Sequence, residues 1–336
     1  VDVCRTADGS VDRRPRDGQR QLGAGSPDHH DRRDQAVRGR GEPARHLFST
    51  LLAAIALLVS SCGLGGETAS TKGVATTAIV TTKPSATALP DGESAQVVRV
   101  LDGDSMEVEL SGDTAEVRLL GINAPERDEC YGDAAHDALA EYLDAGPIIL
   151  VTAGDESADR FGRLLRYVYA GESHVAEEML MSGHAIAVQG DHPRDDAFVA
   201  LAEGAADAGL GLWQPDACGP EAASAVRIAS VEYNPPGPDR DNATSEYVAI
   251  RNRGDAAIDL TDWIVRDESS QHRYRFPPVT LAPGATMRLR SGCGDDGPGD
   301  VYWCAGDPVW SNGGDTALLQ DPHGNVVDRV IYRGDY

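Results

Sequence analysis

Hydrophobic and polar residues alternate in five short segments of the N-terminal half, a pattern that predicts β-strands. These segments are residues 95–101, 106–110, 115–120, 148–152 and 164–169. Apolar residues at helical spacing predict helices over 134–143, Val175–Met181 and 198–208. The order of three strands, a helix, two strands and terminal helices predicts a five-stranded barrel with packed helices. We therefore expect an OB-like α+β fold over residues 95–220.

The pattern changes after residue 220, where short strand-like runs alternate with turn clusters such as Pro283-Gly284. The runs are residues 226–232, 246–252, 263–266, 273–276, 286–290, 317–320 and 326–332. Many short strands at close spacing, without a helical pattern between them, are typical of a β-sandwich. This pattern predicts a second domain over residues 224–336.

A short apolar run in residues 46–62 ends in Ser60-Ser61-Cys62. It is shorter than the roughly 20 apolar residues that span a bilayer, and it predicts a secretory signal peptide. The terminal cysteine resembles a bacterial lipobox, in which Cys62 carries the lipid. The alternatives are a signal peptide with an incidental cysteine and an N-terminal membrane anchor. We expect an exported protein, anchored to the outer face of the cell membrane as a lipoprotein or secreted.

The segments on either side of the signal peptide have compositions that do not support a packed core. Residues 1–45 are rich in Arg, Asp and Gly, which predicts a disordered leader. Alternatively residues 1–36 are not translated, and the protein begins at Val37, which starts a normal basic region. Residues 63–94 are rich in Gly, Ala, Thr, Ser and Pro, which predicts a flexible stalk.

Six cysteines are consistent with export. With Cys4 in the leader and Cys62 in the lipobox, four remain, and they allow three pairings. The simplest pairing in an oxidising compartment joins Cys130 to Cys218 and Cys293 to Cys304. The cysteine and histidine spacing suggests no zinc site.

The net charge of −24 places a limit on nucleic-acid binding. Proteins that grip nucleic acid non-specifically usually show a basic footprint. In this chain only local arginines can supply it, so the charge predicts modest affinity.

Three segments carry the candidate chemistry, namely residues 100–105, 118–126 and 159–163. In a fixed order they supply carboxylates, a side-chain amide and arginines. Oxygen ligands from Asp104 and Asn123 suit a hard cation, and a neighbouring carboxylate can position water as a general base. Guanidinium groups form bidentate bonds to phosphate oxygens. The combination predicts phosphodiester hydrolysis.

The motif order resembles the staphylococcal nuclease (thermonuclease) family over about residues 95–215. Asp-Gly-Asp-Ser lies at 102–105, Arg-Leu-Leu-Gly-Ile-Asn-Ala-Pro-Glu at 118–126 and Asp-Arg-Phe-Gly-Arg at 159–163. That family consists of calcium-dependent endonucleases on an OB fold that cleave DNA and RNA. The resemblance implies that Asp104, Asn123 and the backbone carbonyl of Ala124 hold Ca²⁺.

The same resemblance implies roles for the remaining motif residues. Glu126 is expected to orient or deprotonate the attacking water. Arg118 and Arg163 are expected to clamp the phosphate, and Arg160 and Phe161 to contact the nucleotide. Supporting roles in turns are expected for Asp102 and Asp159. Independently of the resemblance, no partner spacing relates the four histidines of this segment, so structural or solvent-exposed positions are expected for His136, His174, His184 and His192.

Two departures from the family pattern keep a second hypothesis open. Asn123 stands where the family usually has aspartate, and Gln189 and Asp191 stand where it presents tyrosines. The rival is a noncatalytic nucleic-acid-binding or protein-binding envelope scaffold built on a degenerate nuclease barrel. Retention of Arg118, Glu126 and Arg163 favours the enzyme.

The C-terminal segment resembles the lamin tail domain, an immunoglobulin-like sandwich. The motifs are Tyr-Asn-Pro-Pro-Gly at 233–237, Glu-Tyr-Val-Ala-Ile-Arg-Asn at 246–252, Asp-Leu-Thr-Asp-Trp at 259–263, Phe-Pro at 276–277 with Leu-Ala-Pro-Gly at 281–284, and Trp-Ser-Asn-Gly-Gly-Asp at 310–315. They are mainly architectural, and Trp263 is expected in the core. The resemblance implies an adaptor that binds a protein or surface ligand.

Overall fold

The computed structural model describes residues 90–144, 146–153, 157–221, 225–269 and 271–334. The predictions for the leader, the signal peptide, Cys62 and stalk residues 63–89 concern residues outside these ranges. The described residues belong to one compact unit. None of the helices within the described ranges is long and apolar enough to cross a membrane.

The N-terminal domain is the predicted OB-fold barrel. Its strands are β1 (Glu93–Val100), β2 (Ser105–Leu110), β3 (Asp113–Leu119), β4 (Ile122–Asn123), β5 (Ile148–Val151), β6 (Leu164–Ala170), β7 (Ser173–His174) and β8 (Ile186–Ala187). Strands pair in the order β3-β2-β1-β5-β6, and a parallel β3–β6 pairing closes the barrel. The helices are α1 (Gly132–Leu143), α2 (Val175–Met181) and α3 (Asp195–Asp207), followed by a 3₁₀ turn at Gly211–Trp213.

Strand alternation sends one face of the barrel into the core and the other toward the candidate site. Val117 and Leu119 are buried in the core with Met106, Val168 and Phe198. Because successive side chains of a strand point to opposite faces, Arg118 lies on the other face of β3. The hydrophobic pattern that builds the core therefore also aims Arg118.

The C-terminal domain is the predicted β-sandwich. Its strands are β9 (Val226–Glu232), β10 (Tyr247–Asn252), β11 (Ile258–Asp259), β12 (Ile264–Arg266), β13 (Arg273–Arg275), β14 (Thr280–Leu281), β15 (Thr286–Arg290), β16 (Asp300–Tyr302), β17 (Gly314–Gln320) and β18 (Val326–Arg333). Two sheets, ordered β16-β15-β10-β9 and β13-β12-β17-β18, enclose a core that contains Trp263, as expected. A single helical turn, α4 (Asp239–Asn242), interrupts a segment that was expected to lack helices.

Both predicted disulfides are present, Cys130–Cys218 and Cys293–Cys304. The first closes the barrel domain, since Cys130 follows the candidate site loop and Cys218 lies near the end of the domain. The second joins the two ends of a sandwich segment that contains β16.

The barrel and the sandwich pack directly against each other. A small apolar cluster joins Ile186, Leu212 and Trp213 of the barrel to Leu318 of β17. Ion pairs supplement it, including one from Arg329 to Asp207, whose Nη2–Oδ1 distance is 2.6 Å. Sequence analysis treated the two domains as separate modules, and it contained no signal for this junction.

Candidate active site

The turn between β1 and β2 places Asp104 at the edge of the barrel. The Asp104 backbone N–H donates to Asp102 Oδ1 at 2.9 Å, so Asp102 supports the turn as expected. A Cβ on Gly103 would lie 2.6 Å from the Cβ atoms of Ala124 and Ala135, a separation that only glycine avoids. The tight packing leaves Asp104 only 2% exposed.

Arg118 joins the two residues that were predicted to hold a cation. Antiparallel pairing of β2 with β3 places Arg118 opposite Ser105, next to Asp104. The guanidinium donates through Nη1 to Asp104 Oδ1 and through Nη2 to Asn123 Oδ1, the latter at 3.0 Å. The second Asp104 oxygen accepts the Ala124 backbone N–H at 2.8 Å. Asp104, Arg118, Asn123 and Ala124 therefore form one hydrogen-bonded group.

Burial and the charge of Arg118 have opposite effects on the pKa of the Asp104 carboxyl group. Burial raises the pKa of Asp104 to about 6, although the Arg118 charge acts in the opposite direction. Burial also raises the pKa of Glu126 above its usual range, and the Asp102 charge adds to this effect. A carboxylate with a raised pKa is a better proton acceptor, as a general base requires.

Glu126 lies in the loop between β4 and α1 and is half-buried. Its backbone N–H lies 3.4 Å from Glu129 Oε2. Gly132 begins α1 directly against this loop, and a Cβ there would collide with the carbonyl oxygen of Glu126. The helix start therefore holds the loop in place from one side.

Arg163 follows a turn that is organised by Asp159. Asp159 Oδ1 accepts the backbone N–H groups of Phe161 and Arg163, and Oδ2 accepts Arg163 Nε at 2.7 Å. Asp159 thus supports the turn, as expected. The charge of Arg163 acts on the pKa values of Asp104 and Glu126, so its guanidinium belongs to the same electrostatic centre.

Phe161 projects from this turn into solvent. Its side chain is 68% exposed, which is unusual for a large apolar residue. The guanidinium groups of Arg160 and Arg163 lie 4.7 and 5.6 Å from its ring centroid. An exposed ring flanked by two cations suits base stacking beside a phosphate backbone. Phe161 and Arg160 make no direct contact with the Asp104 group among the described interactions.

The four histidines of the barrel domain occupy structural positions. His174 is buried among aromatic rings, and burial lowers its pKa to about 4, so it stays neutral. Tyr167 and Tyr131 hydrogen-bond to His192 and His184 at 2.8 and 3.2 Å. His136 pairs with its neighbour Asp137. None of these contacts involves the candidate site.

Sequence analysis missed the sandwich residues that border the site. Asn123 Nδ2 donates to the backbone carbonyl of Glu268, and Arg160 Nη2 donates to Gln271 Oε1. Gln189, which stands where the family presents tyrosines, donates its backbone N–H to Glu268 Oε1 at 2.6 Å. All three contacts join residues of different domains that are far apart in sequence, so the motifs of either domain alone could not have revealed them.

The donor set suits a hard cation bound by oxygen atoms. Within the described residues, no group of three or more His, Cys, Asp or Glu side chains forms a metal cluster. The Asp104 and Asn123 oxygens nevertheless converge on a single guanidinium, so this position already accommodates a positive charge. One carboxylate and one amide oxygen match the ligand types that Ca²⁺ takes, with less negative charge than two carboxylates.

Comparison with known proteins yields two family matches. Residues 116–215 match the model of staphylococcal nuclease homologues, and residues 220–334 match the lamin tail domain. A protein of Escherichia coli O157:H7 named uncharacterized endonuclease is 35% identical over 118 residues, which cover 35% of this chain and 75% of that protein. A Shigella flexneri protein named micrococcal nuclease is 41% identical over 75 residues, which cover 22% of this chain and 41% of that protein.

Each match falls within one structural domain. The first begins inside β3 and covers the site loop and the Asp159 turn, while β1, β2 and Asp104 precede it; the second spans the sandwich strands. The chain therefore belongs to the staphylococcal nuclease homologues and carries a lamin tail domain at its C-terminus.

Proposed function

We propose that this chain is a calcium-dependent nuclease that hydrolyses the phosphodiester bonds of DNA, RNA or both. The observation that carries the proposal is that Arg118 hydrogen-bonds to the buried Asp104 carboxylate, while the charges of Arg118 and Arg163 both act on the pKa of Glu126. A scaffold that only bound nucleic acid would need the arginines but not a carboxylate with a raised pKa. The arrangement therefore favours hydrolysis.

Each residue has a distinct role in this proposal. Glu126 accepts a proton from the attacking water, a task that suits its raised pKa. Arg118 and Arg163 donate to the phosphate oxygens and stabilise the charge that develops on them. Arg160 and the exposed Phe161 ring hold the flanking nucleotide.

Asp104, Asn123 and the backbone carbonyl of Ala124 would hold Ca²⁺. When bound, the ion supplies a fixed positive charge that polarises the phosphate. Because Asn123 is neutral, we expect weaker calcium affinity than a site with two carboxylates would have. Calcium must also compete with Arg118 for the Asp104 carboxylate.

Substitution of Glu126 tests the catalytic proposal. The purified full chain should cleave DNA or RNA in millimolar Ca²⁺, and EDTA should stop the reaction. Glu126→Gln should lower kcat by about 10²- to 10⁴-fold, since the amide cannot accept the proton. Glu203→Gln on the exposed face of α3 is the matched control and should leave kcat unchanged. Nucleic-acid binding without cleavage by the parent chain would support the scaffold instead.

We also propose that the protein is exported and held at the outer face of the cell membrane through a lipid on Cys62. The support is the apolar run and the Ser-Ser-Cys sequence at its end. The lamin tail domain would then present a surface for a protein or envelope ligand. Cys62→Ser should release the nuclease into the medium, and retention in the membrane fraction would contradict the lipid anchor.

A further inference from the structure

One segment of the sandwich, residues 266–269 and 271–273, contacts three separate parts of the candidate site. We call it the junction segment. It connects β12 to the start of β13. Its partners in the barrel are Asn123, Glu129 and Arg160, which lie on three different loops or strands around the site.

The first contact fixes the orientation of Asn123. Its Nδ2 donates to the backbone carbonyl of Glu268 at 3.0 Å, and both residues are buried. An amide side chain has one donor end and one acceptor end. With the donor end held by the junction segment, the Oδ1 atom must face Arg118 and the cation position. A carboxylate at position 123 has no proton to donate to Glu268.

The second contact reaches Glu126 through Glu129. Arg273 Nη1 pairs with Glu129 Oε1, and Arg266 Nη1 lies 3.9 Å from Glu129 Oε2. Burial raises the pKa of Glu129, but the hydrogen bond and charge of Arg273, together with the Arg266 charge and the Glu126 N–H, lower it overall. The ionised Glu129 in turn faces the Glu126 backbone N–H. The sandwich thereby holds the loop that carries the proposed general base.

The third contact engages the Asp159 turn. Arg160 Nη2 donates to Gln271 Oε1 at 2.7 Å. This bond is exposed, so it contributes little to stability. Its location matters more, because Arg160 and Phe161 are the residues proposed to hold the nucleotide.

Docking alone does not require these contacts. The apolar cluster around Trp213 and the ion pair between Arg329 and Asp207 already join the domains away from the site. We infer that the junction segment is a positioning element of the nuclease site, so that the lamin tail domain completes the active site rather than only carrying it. This inference rests on the proposed nuclease function.

Substitution of Arg273 in the full chain tests the inference. Arg273→Ala should lower kcat by about 10-fold or more with a smaller change in KM, because small displacements of a catalytic group are costly. Arg329→Ala is the matched control, since it also removes an interdomain Arg–carboxylate pair, and its kcat should stay within about 2-fold of the parent. Arg273→Lys should restore part of the loss, because an ammonium can still pair with Glu129.

Hydrogen exchange provides a readout that does not depend on activity. Backbone amides in residues 123–129 should exchange faster in Arg273→Ala than in the parent, and Arg329→Ala should not show this change. Equal exchange in the two variants, or equal kcat values, would overturn the inference. If the parent chain shows no cleavage, the proposed function fails. The exchange rates then still test whether the junction segment positions the Glu126 loop.

Discussion

At the scale of single residues, Asn123 is the departure that most affects the chemistry. It keeps an oxygen beside Asp104 but removes one negative charge from the cation position. The structure supplies a reason for the amide, because its nitrogen donates to a carbonyl of the other domain. Calcium affinity and domain contact therefore impose opposite demands on this one side chain.

Asn123→Asp should destabilise the folded chain. The change places a buried acceptor against the Glu268 carbonyl, and a buried polar group without a partner costs about 1–3 kcal/mol. Urea unfolding should show the loss in the free energy of unfolding. Asn242→Asp is the matched control, because Asn242 also donates to a backbone carbonyl but in an exposed setting where water can replace the bond. Equal losses in the two variants would contradict the explanation.

At the scale of elements, the Asp159 turn separates two functions within five residues. Asp159 orders the turn and holds Arg163, while Phe161 is left in solvent. The turn can therefore lose its aromatic ring without losing the arginine that acts on Glu126 and Asp104.

Phe161→Ala should weaken substrate binding and spare the chemical step. Stacking of a base on an aromatic ring is worth about 1–3 kcal/mol, so KM for single-stranded DNA should rise by about 10-fold. Steady-state kinetics should show the change in KM with little change in kcat. Val98→Ala, which truncates another exposed apolar side chain, should leave KM unchanged. A fall in kcat without a change in KM would assign the ring a different role.

At the scale of the whole molecule, the junction between the domains contains buried acids. Burial raises the pKa of Glu268 to about 9, and the negative charge of Asp315 adds to this effect. Burial also raises the pKa of Asp315 to about 7, and the negative charge of Asp267 adds to this effect. Both groups bind protons more tightly in the folded chain than in the unfolded chain. Their contribution to stability is therefore complete only below the ordinary pKa of these side chains, about 4, and is lost as pH rises through the raised values.

The free energy of unfolding should accordingly fall as pH rises from about 5 to 9. Glu268→Gln should flatten this dependence, because the amide keeps an acceptor for the Gln189 N–H without acquiring a charge. Urea unfolding at a series of pH values measures the slope. Glu203→Gln, at an exposed position, should leave it unchanged. A slope that Glu268→Gln does not alter would place the pH dependence elsewhere.

Local patterns were sufficient to predict most of the fold, and the motif order, with its family resemblance, named the candidate site residues. Residues such as Asp104, Arg118 and Arg163 could be found because their motifs combine a tight turn or strand with the side chain it presents. The two-residue strands β4 and β8 were missed, since their pairing joins segments about 60 residues apart and leaves almost no alternation to detect. The parallel strand β16 was missed because it begins at the end of a segment rich in Gly and Asp, residues 292–300, whose composition is typical of a turn.

The sequence by itself determined the two domain classes through periodicity, and its motif order named the candidate catalytic groups through resemblance to a known family. It favoured one of three cysteine pairings, which the structure contains. Only the tertiary structure decided that Asn123 faces Glu268 across 145 residues of sequence, and that Arg273 supports the Glu126 loop through Glu129. The physical reason is that such contacts depend on how two folded surfaces meet. Every residue type has the same backbone carbonyl, so the sequence does not show which carbonyl will accept a hydrogen bond where the two surfaces meet.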